Sequence, residues 1–320
     1  MVETSARGDQ SPQFSMVIAT FNDWLPLNEC LRSLAEQLGA PSFEVVVVDD
    51  GSSEEAPEFV REWSGRFPLR VLRQAHEGIS AARNRGVRNS RGEAVVFVDA
   101  DCKLQKDCLA ALAATMSQNP QRNYFQLRLV GDCQNLVGRA EELRLITIQN
   151  HMLRPDGCIR YLNTAGFAIR RRSAAADGVF DPAALRAEDT LLLADLMQGG
   201  ELPFFVEGAV VQHAIPLSLV QCLAKDVRST FLVAKTYGAI AARGVKFRVS
   251  HRERLTMLRS MWRTSRRASI GFGGWLVLAT RQTLRLSILM MMDPSGKRFT
   301  PRGMAGGDAG ERAKAPPSFL

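Results

Sequence analysis

The feature that most constrains this chain is a pair of short apolar runs that each end in aspartates. Residues 43–48 read FEVVVV and stop at Asp49 and Asp50, while residues 94–98 read AVVFV and stop just before an Asp-Ala-Asp sequence. A nearly continuous β-branched run, without polar alternation, is typical of a strand buried on both faces. Both runs are therefore predicted to be inner strands of a parallel sheet.

Helical patterns separate these runs, so strands and helices alternate along the first hundred residues. Strands are expected at 15–20, 43–48, 69–72 and 94–98, and helices at 25–38, 54–66 and 79–89. This order predicts an α/β fold, with a mostly parallel sheet flanked by helices on both faces. Farther along, strands are expected at 124–130, 162–170 and 204–211, and helices at 136–149 and from about residue 188.

Polar side chains follow the predicted strands at one edge of the sheet. Thr20 ends the first strand, Asp49 and Asp50 the second, and Asp99 and Asp101 the fourth. Ligands of open parallel sheets bind beyond the carboxyl ends of the strands. Crowded carboxylates are costly unless a cation or hydrogen-bond donors accompany them, and Mg²⁺ or Mn²⁺ commonly bridges carboxylates and a diphosphate. The edge is therefore predicted to bind a divalent cation.

Seven segments, in this order, resemble the family 2 glycosyltransferases of the GT-A fold. They are SMVIATFND (15–23), VVVVDDGSSE (45–54), HEGISAARNRGVRNSRGEAVVFVDADC (76–102), NTAGFAIRR (163–171), DGVFDP (177–182), AEDTLLLADLMQGG (187–200) and VEGAVVQH (206–213). Each segment alone is a weak match to the family, whereas the seven segments in this order are specific for it. Two departures are Ala19, where proline is usual, and Phe21, where tyrosine is usual; neither removes a group that the reaction needs.

The resemblance implies metal-assisted transfer of a sugar, with inversion, from a nucleoside-diphosphate sugar to an acceptor hydroxyl. It implies Asp189 as the catalytic base and Asp101 with His213 as ligands of Mn²⁺ or Mg²⁺. The positions that it implies for binding the donor nucleotide are Thr20, Asp49, Asp50, Arg83 and Asp99. Inversion needs a base for the acceptor proton and a cation for the departing diphosphate, which agrees with this set.

Simpler interpretations of four of these residues stay open. Asp189 could cap a helix, Asp50 could form an Asx turn after its strand, Arg83 could be a charge on a helix surface, and His213 could be a packed histidine. Two other functions are also considered. A sugar-1-phosphate nucleotidyltransferase is disfavoured because IATFND, not a basic glycine-rich loop, follows the first strand. A relative that binds sugar nucleotide or membrane without turnover is the non-enzymatic alternative.

The charge of the chain is divided unevenly between its two parts. Residues 1–215 carry 22 Lys and Arg against 28 Asp and Glu, whereas residues 216–320 carry 19 against 5. This division predicts a leader at 1–13, a catalytic domain at 14–215, a basic helical extension at 216–299 and a disordered tail at 300–320. No nucleic-acid-binding motif or aromatic stacking platform is present, so a nucleic-acid partner is not expected.

Residues 251–267 place apolar and basic side chains on two faces of a helix. The arginines other than Arg254 lie on one face, and the other face carries Leu255, Met257, Leu258, Met261 and Trp262. Such a helix is typical of contact with an anionic membrane surface, or of packing on the catalytic domain. Residues 275–292 form a more apolar segment, interrupted by two arginines.

The compartment is expected to be the cytoplasm, at the inner face of the membrane if the basic helix binds lipid. The six cysteines show no CxxC pair, the N-terminus lacks a signal-peptide pattern, and no apolar stretch reaches the roughly 20 residues that span a bilayer. Composition and motifs do not identify the acceptor: a lipid-linked sugar, a growing glycan in polysaccharide biosynthesis and a small metabolite are all compatible.

Overall fold

A computed structural model describes residues 11–131, 133–175, 178–184, 186–213, 218–243, 251–267 and 270–292. The strands are β1 (Phe14–Thr20), β2 (Phe43–Asp49), β3 (Leu69–Arg73), β4 (Ala94–Phe97), β5 (Cys102–Leu104), β6 (Tyr124–Gly131), β7 (Phe167–Arg170) and β8 (Phe204–His213). The helices are α1 (Trp24–Ala35), α2 (Glu58–Arg61), α3 (Ile79–Arg88), α4 (Cys108–Gln118), α5 (Leu136–Met152), α6 (Glu188–Gln198), α7 (Leu219–Ala242), α8 (His251–Arg267) and α9 (Gly271–Met292).

The eight strands form one sheet in the order β3-β2-β1-β4-β7-β6-β8-β5. Strands β1 to β4 pair with one another in parallel, as predicted, and β6 is parallel to β8. The other half is mixed, since β7 is antiparallel to both β4 and β6, and β5 is antiparallel to β8. The mostly parallel α/β fold is therefore confirmed, with antiparallel pairs that the alternation in the sequence does not predict.

Strand β2 shows why the sheet is covered on both faces. Val45 and Val47 belong to one apolar cluster, Val46 and Val48 belong to a second cluster on the opposite face, and all four are fully buried. Side chains alternate between the faces of a strand, so a continuous valine run needs an apolar layer on each side.

Helix α3 lies unusually close to the sheet. A Cβ atom built on Gly86 would be only 2.3 Å from Val17 Cγ1, so no larger residue fits there without movement. This close approach lets other side chains of α3 reach the carboxyl edge of the sheet.

Several predicted boundaries differ from the structure. The helix expected over 54–66 is only the short α2, followed by a 3₁₀ turn at Glu62–Gly65. The strand β5 and the helix α4 have no predicted counterpart. Pro12 and Gln13, assigned to the leader, accept and donate backbone hydrogen bonds with the sheet region. Residues 1–10 of the leader and the tail at 300–320 lie outside the described residues.

The C-terminal helices pack on the catalytic part of the molecule. Buried side chains of α8 and α9, including Met261, Val277 and Leu278, form one cluster with Ala140 and Leu143 of α5. Packing, which the sequence left as an alternative to membrane contact, therefore accounts for part of the apolar surface of these helices. Within the described residues, no helix is both long and apolar enough to span a bilayer.

Candidate active site

The carboxyl ends of β1 and β2 lie side by side, with Thr20 opposite Asp49 in the parallel register. Asn22, in the left-handed region at φ 58°, ties the two turns together. Its backbone N–H donates to Ser52 Oγ at 2.8 Å, and its Oδ1 accepts from the Ser53 N–H at 2.9 Å. Among the described residues, no group bonds the buried Thr20 hydroxyl, which leaves it available to a ligand.

The two aspartates at the end of β2 have different partners. Asp49 Oδ1 accepts from the Ser52 backbone N–H at 2.9 Å. The Asp50 carboxylate accepts the backbone N–H groups of Glu77 and Gly78, each at 2.9 Å, and the Gln74 amide. The Asx-turn interpretation of Asp50 is therefore wrong, because the partners of this carboxylate are distant in the chain, and the carboxylate holds the loop before α3 beside the sheet edge. Direct contact of Asp49 or Asp50 with a nucleotide stays a prediction.

Arg83 is not a surface charge, because it is only 2% exposed. Its Nη2 lies 2.6 Å from Asp99 Oδ1, and its Nη1 lies 2.5 Å from Glu188 Oε1. Burial alone would lower the pKa of the guanidinium, but the charges of the two carboxylates outweigh burial and raise it. Arg83 therefore joins the end of β4 to the first turn of α6.

Asp101 and His213 meet because β5 pairs with the end of β8. Cys102 is opposite His213 in that antiparallel register, and His213 Nε2 lies 3.2 Å from Asp101 Oδ2. Burial would raise the pKa of Asp101, but the hydrogen bond and charge of His213 lower it. Conversely, burial would lower the pKa of His213, but Asp101 raises it. His213 is thus not merely a packed histidine, since it pairs with the acidic group that the sequence singled out.

Ligand atoms of Asp101, Cys102 and His213 all lie within 4.8 Å of one another. Carboxylate oxygen and imidazole nitrogen are suitable ligands for Mn²⁺. The Cys102 thiol suits a hard cation poorly, because burial raises its pKa well above the usual range and keeps it protonated. The residues present therefore fit a divalent cation held through Asp101 and His213.

Asp189 lies in the first turn of α6, after Ala187, whose backbone has a left-handed φ of 64°. The cap position is Ala187, so the helix-cap interpretation of Asp189 is wrong. Its Oδ1 accepts from the Thr190 backbone N–H at 2.6 Å, and the side chain is half-buried. Burial, followed by the charge of Glu188, raises the pKa of Asp189 to about 7. A carboxyl with this pKa can take up a proton near neutral pH.

Three residues near these groups were not singled out in the sequence. Glu188 is the partner of Arg83, and its place beside Asp189 was the only local signal for it. The charge of Lys225, on α7, contributes to lowering the pKa of Asp101. Burial and then the Asp101 charge raise the pKa of Asp23, which Lys225 opposes. No sequence pattern marks Lys225, because α7 meets the sheet edge only in the folded protein.

Curated relatives align with parts of this chain. The poly(ribitol-phosphate) β-N-acetylglucosaminyltransferase TarS of Staphylococcus aureus is 34% identical over 110 residues, 33% of this chain and 19% of that protein. The dolichol-phosphate mannosyltransferase of Pyrococcus furiosus is 35% identical over 88 residues, 27% of this chain and 25% of that protein. The chain spans between 19% and 37% of the length of the curated relatives it matches.

Solved structures are similar over most of the chain. A mannosyltransferase of Pyrobaculum calidifontis, in complex with GDP-Man and Mn²⁺, superposes with a TM-score of 0.54 at 18% identity, covering 91% of this chain and 77% of that one. Residues 1–349 of S. aureus TarS, in complex with UDP, give 0.52 at 18% identity, covering 90% and 93%. These likenesses establish the GT-A fold. The family model described as glycosyl transferase family 2 matches residues 15–178, which is about half of the chain. This chain therefore belongs to that family.

Proposed function

We propose that this protein transfers a sugar from a nucleoside-diphosphate sugar to an acceptor hydroxyl, with inversion and with the help of Mn²⁺ or Mg²⁺. The observation that carries the proposal is that two clusters of side chains lie next to each other at one edge of the sheet. Buried Arg83 connects Asp99 to the helix that presents Asp189, and the neighbouring Asp101 pairs with His213. Family membership supports the same reaction class.

Each group has a role in this proposal. Asp189 accepts the proton of the acceptor hydroxyl as the acceptor oxygen bonds to the anomeric carbon and the bond from that carbon to the diphosphate breaks. Because attack and departure occur on opposite sides, the configuration inverts. Asp101 and His213 would hold the cation, which when bound stabilises the negative charge of the departing diphosphate. Arg83 and Asp99 shape the donor side of the site.

The donor nucleotide is proposed to lie along the edge from β1 to β4. The unpartnered Thr20 hydroxyl, Asp49, Asp50 and Asp99 are the polar groups there. The acceptor is proposed to be a lipid-linked sugar, a growing glycan or a small metabolite, in polysaccharide biosynthesis. The place of reaction is proposed to be the cytoplasm, at the inner face of the membrane.

A donor screen tests the proposal. Nucleotide sugars added with Mn²⁺ should raise the melting temperature, because a ligand of the native state stabilises it. The stabilising donor should then be hydrolysed slowly, in a Mn²⁺-dependent reaction that releases nucleoside diphosphate. Stabilisation without any release would favour the non-enzymatic alternative, and no response to any donor would contradict the proposal.

A single substitution tests the metal ligand. Asp101→Asn should preserve the fold but weaken Mn²⁺-dependent nucleotide binding and nearly abolish transfer, because an amide is a poorer ligand for a hard cation than a carboxylate. Asp107→Asn, the same change at an exposed carboxylate just before α4, is the matched control. Unchanged Mn²⁺–nucleotide affinity of Asp101→Asn in calorimetry would remove Asp101 from the metal site.

A further inference from the structure

Five apolar side chains form a surface cluster, here called the aromatic patch, where α8 and α9 meet the start of α5. Its members are Leu136, Trp262, Phe272, Trp275 and Leu276. Phe272 is 59% exposed and Trp262 is 42% exposed, although the ring of each lies within 5.7 Å of the Trp275 ring, measured between centroids. Large apolar groups that cluster while open to solvent indicate an interaction surface.

The patch rests on a packed base. Met261, the residue before Trp262, is buried, and Val277 and Leu278 are buried behind the rings. Farther along α9, Arg281 Nε lies 2.6 Å from Asp226 Oδ2 of α7, which fixes the helix against its neighbours. The exposed rings are therefore held outward by the fold itself, and the apolar face of α8 and α9 is shared between the protein core and the patch.

The exposed charged side chains that the structure describes on α8 and in the first turns of α5 are arginines. Arg259 and Arg266 are three residues before and four after Trp262, so they are its neighbours where the basic face of α8 borders the apolar face, and both are exposed. Arg263 and, on α5, Arg139 are exposed as well. The sequence contains no Asp or Glu between residues 254 and 292. Aromatic rings bordered by exposed arginines, on a segment without Asp or Glu, complement an anionic lipid surface.

The patch also lies at the edge of the sheet that carries the candidate site. Strand β6 ends at Gly131, which is opposite His213 in the β6–β8 register. Helix α5 starts shortly afterwards, and its first turns touch that end, since a Cβ on Gly131 would lie 2.8 Å from Gly138 O. A Cβ built on Gly273 of α9 would lie 2.9 Å from Leu136 Cδ2, so α9 in turn lies against the start of α5.

We propose that the aromatic patch docks on an anionic phospholipid bilayer and turns the carboxyl edge of the sheet toward it, so that the acceptor sugar is one carried by a membrane lipid. Trp262, Phe272 and Leu276 enter the boundary between headgroups and acyl chains, while the arginines pair with lipid phosphates. The choice of acceptor rests on the proposed function; the docking does not.

Vesicle sedimentation of the full chain tests the docking. Binding to vesicles of phosphatidylcholine with phosphatidylglycerol should be strong at low salt, and binding to phosphatidylcholine alone should be weak. Arg259→Gln with Arg266→Gln should weaken the partition by about tenfold or more, since each basic residue near an anionic surface contributes to binding. Trp262→Ser with Phe272→Ser should weaken it on both lipid mixtures.

The control arginines lie across the sheet, next to β3. Arg61→Gln with Arg66→Gln removes two exposed arginines there, and Leu38→Ser removes an exposed leucine beyond α1; neither should change the partition. No binding of the native chain to anionic vesicles, or equal losses in the controls, would overturn the proposal. So would a concentration-dependent dimer in analytical ultracentrifugation that only Trp262→Ser with Phe272→Ser dissociates, with vesicle binding unchanged.

Activity measurements separate the two proposals. The patch variants should keep Mn²⁺-dependent donor hydrolysis, because their side chains are outside the site, while transfer to a lipid-linked acceptor in vesicles falls at least tenfold. Equal transfer by native and variant protein would overturn the acceptor assignment. Absence of donor hydrolysis in the native protein would overturn the proposed function and leave the docking intact.

Discussion

Two buried arginines each bridge a pair of carboxylates, one at the edge of the sheet and one among the C-terminal helices. At the edge, Arg83 holds Asp99 and Glu188 at 2.6 and 2.5 Å. Among the described residues, no arginine forms an ion pair with Asp189, the residue next to Glu188, and burial raises the pKa of Asp189 to about 7. The ion pair therefore fixes the backbone around a carboxyl that can exchange a proton.

Among the helices, Arg281 holds Asp226 at 2.6 Å and lies 3.7 Å from Glu141. Burial would raise the pKa of Glu141, but Arg144 and further positive groups lower it to about 2. Every carboxylate in this cluster is kept charged, so the cluster has no group that exchanges protons near neutral pH. The two clusters therefore differ in their chemistry, because only the one at the sheet edge places a carboxyl with a pKa near neutrality beside a buried arginine.

Neutralising Asp189 is the strongest test of the difference between the two clusters, and it is expected to have the largest effect. Asp189→Asn should lower turnover by about 10²–10⁴-fold, because an amide cannot accept the acceptor proton. Donor and metal affinity should stay the same, since the amide has nearly the same shape. Steady-state kinetics with calorimetry measure both effects. Near-normal turnover, with folding and donor affinity verified, would remove Asp189 from the catalytic role, and a product of retained configuration would contradict the single displacement.

The second cluster should respond in stability and not in chemistry. Arg281→Met leaves Asp226 buried with only the half-exposed Arg285, and should lower the free energy of unfolding by about 3 kcal/mol. Urea denaturation measures the loss, and donor affinity of the folded protein should not change. The double variant Arg281→Met with Asp226→Leu should recover much of the loss. An unchanged urea midpoint in the single variant would show that the cluster does not clamp the helices.

The pH dependence of turnover sharpens the contrast. Asp189 must be deprotonated to act, and its pKa of about 7 lies above the usual value for aspartate. Turnover should therefore level off above about pH 7 and fall roughly tenfold per unit below it. A turnover profile from about pH 5 to about pH 9, with donor saturating, tests this. A flat profile down to about pH 5 would show that no such group limits the reaction.

The smallest effect is expected from Glu188→Gln. This change removes the negative charge beside Asp189, so the pKa of Asp189 should fall and the midpoint of the pH profile should move down by about one unit or less. The plateau of turnover on the alkaline side of the profile should change little, because Asp189 is deprotonated there in both proteins. Glu201→Gln, at an exposed carboxylate after α6, is the control. An upward shift, or an equal shift in the control, would contradict the electrostatic coupling.

The sequence predicted the parallel half of the sheet well. The run at 43–48 is β2, and the run at 94–98 contains β4, because a strand buried on both faces must be apolar at every position. The short strand β5 could not be found this way, since three residues carry too little periodicity. The antiparallel position of β7 was also missed, because strand direction depends on connections and not on local pattern.

Within the candidate site, the sequence by itself determined which residues stand at strand and helix ends: Thr20, Asp49, Asp99, Asp101 and Asp189. Their places follow from local rules, because apolar runs and turn residues fix where an element stops.

Only the tertiary structure decided which of these groups face each other. The antiparallel pairing of β5 with β8 brings His213 to Asp101, and the close approach of α3 to the sheet buries Arg83 between Asp99 and Glu188. The same holds for α8, whose amphipathic pattern fits both core and membrane; packing on α5 buries Met261 and leaves Trp262 outside. A sequence pattern gives the face of a helix, whereas the partner of that face depends on contacts between segments far apart in the chain.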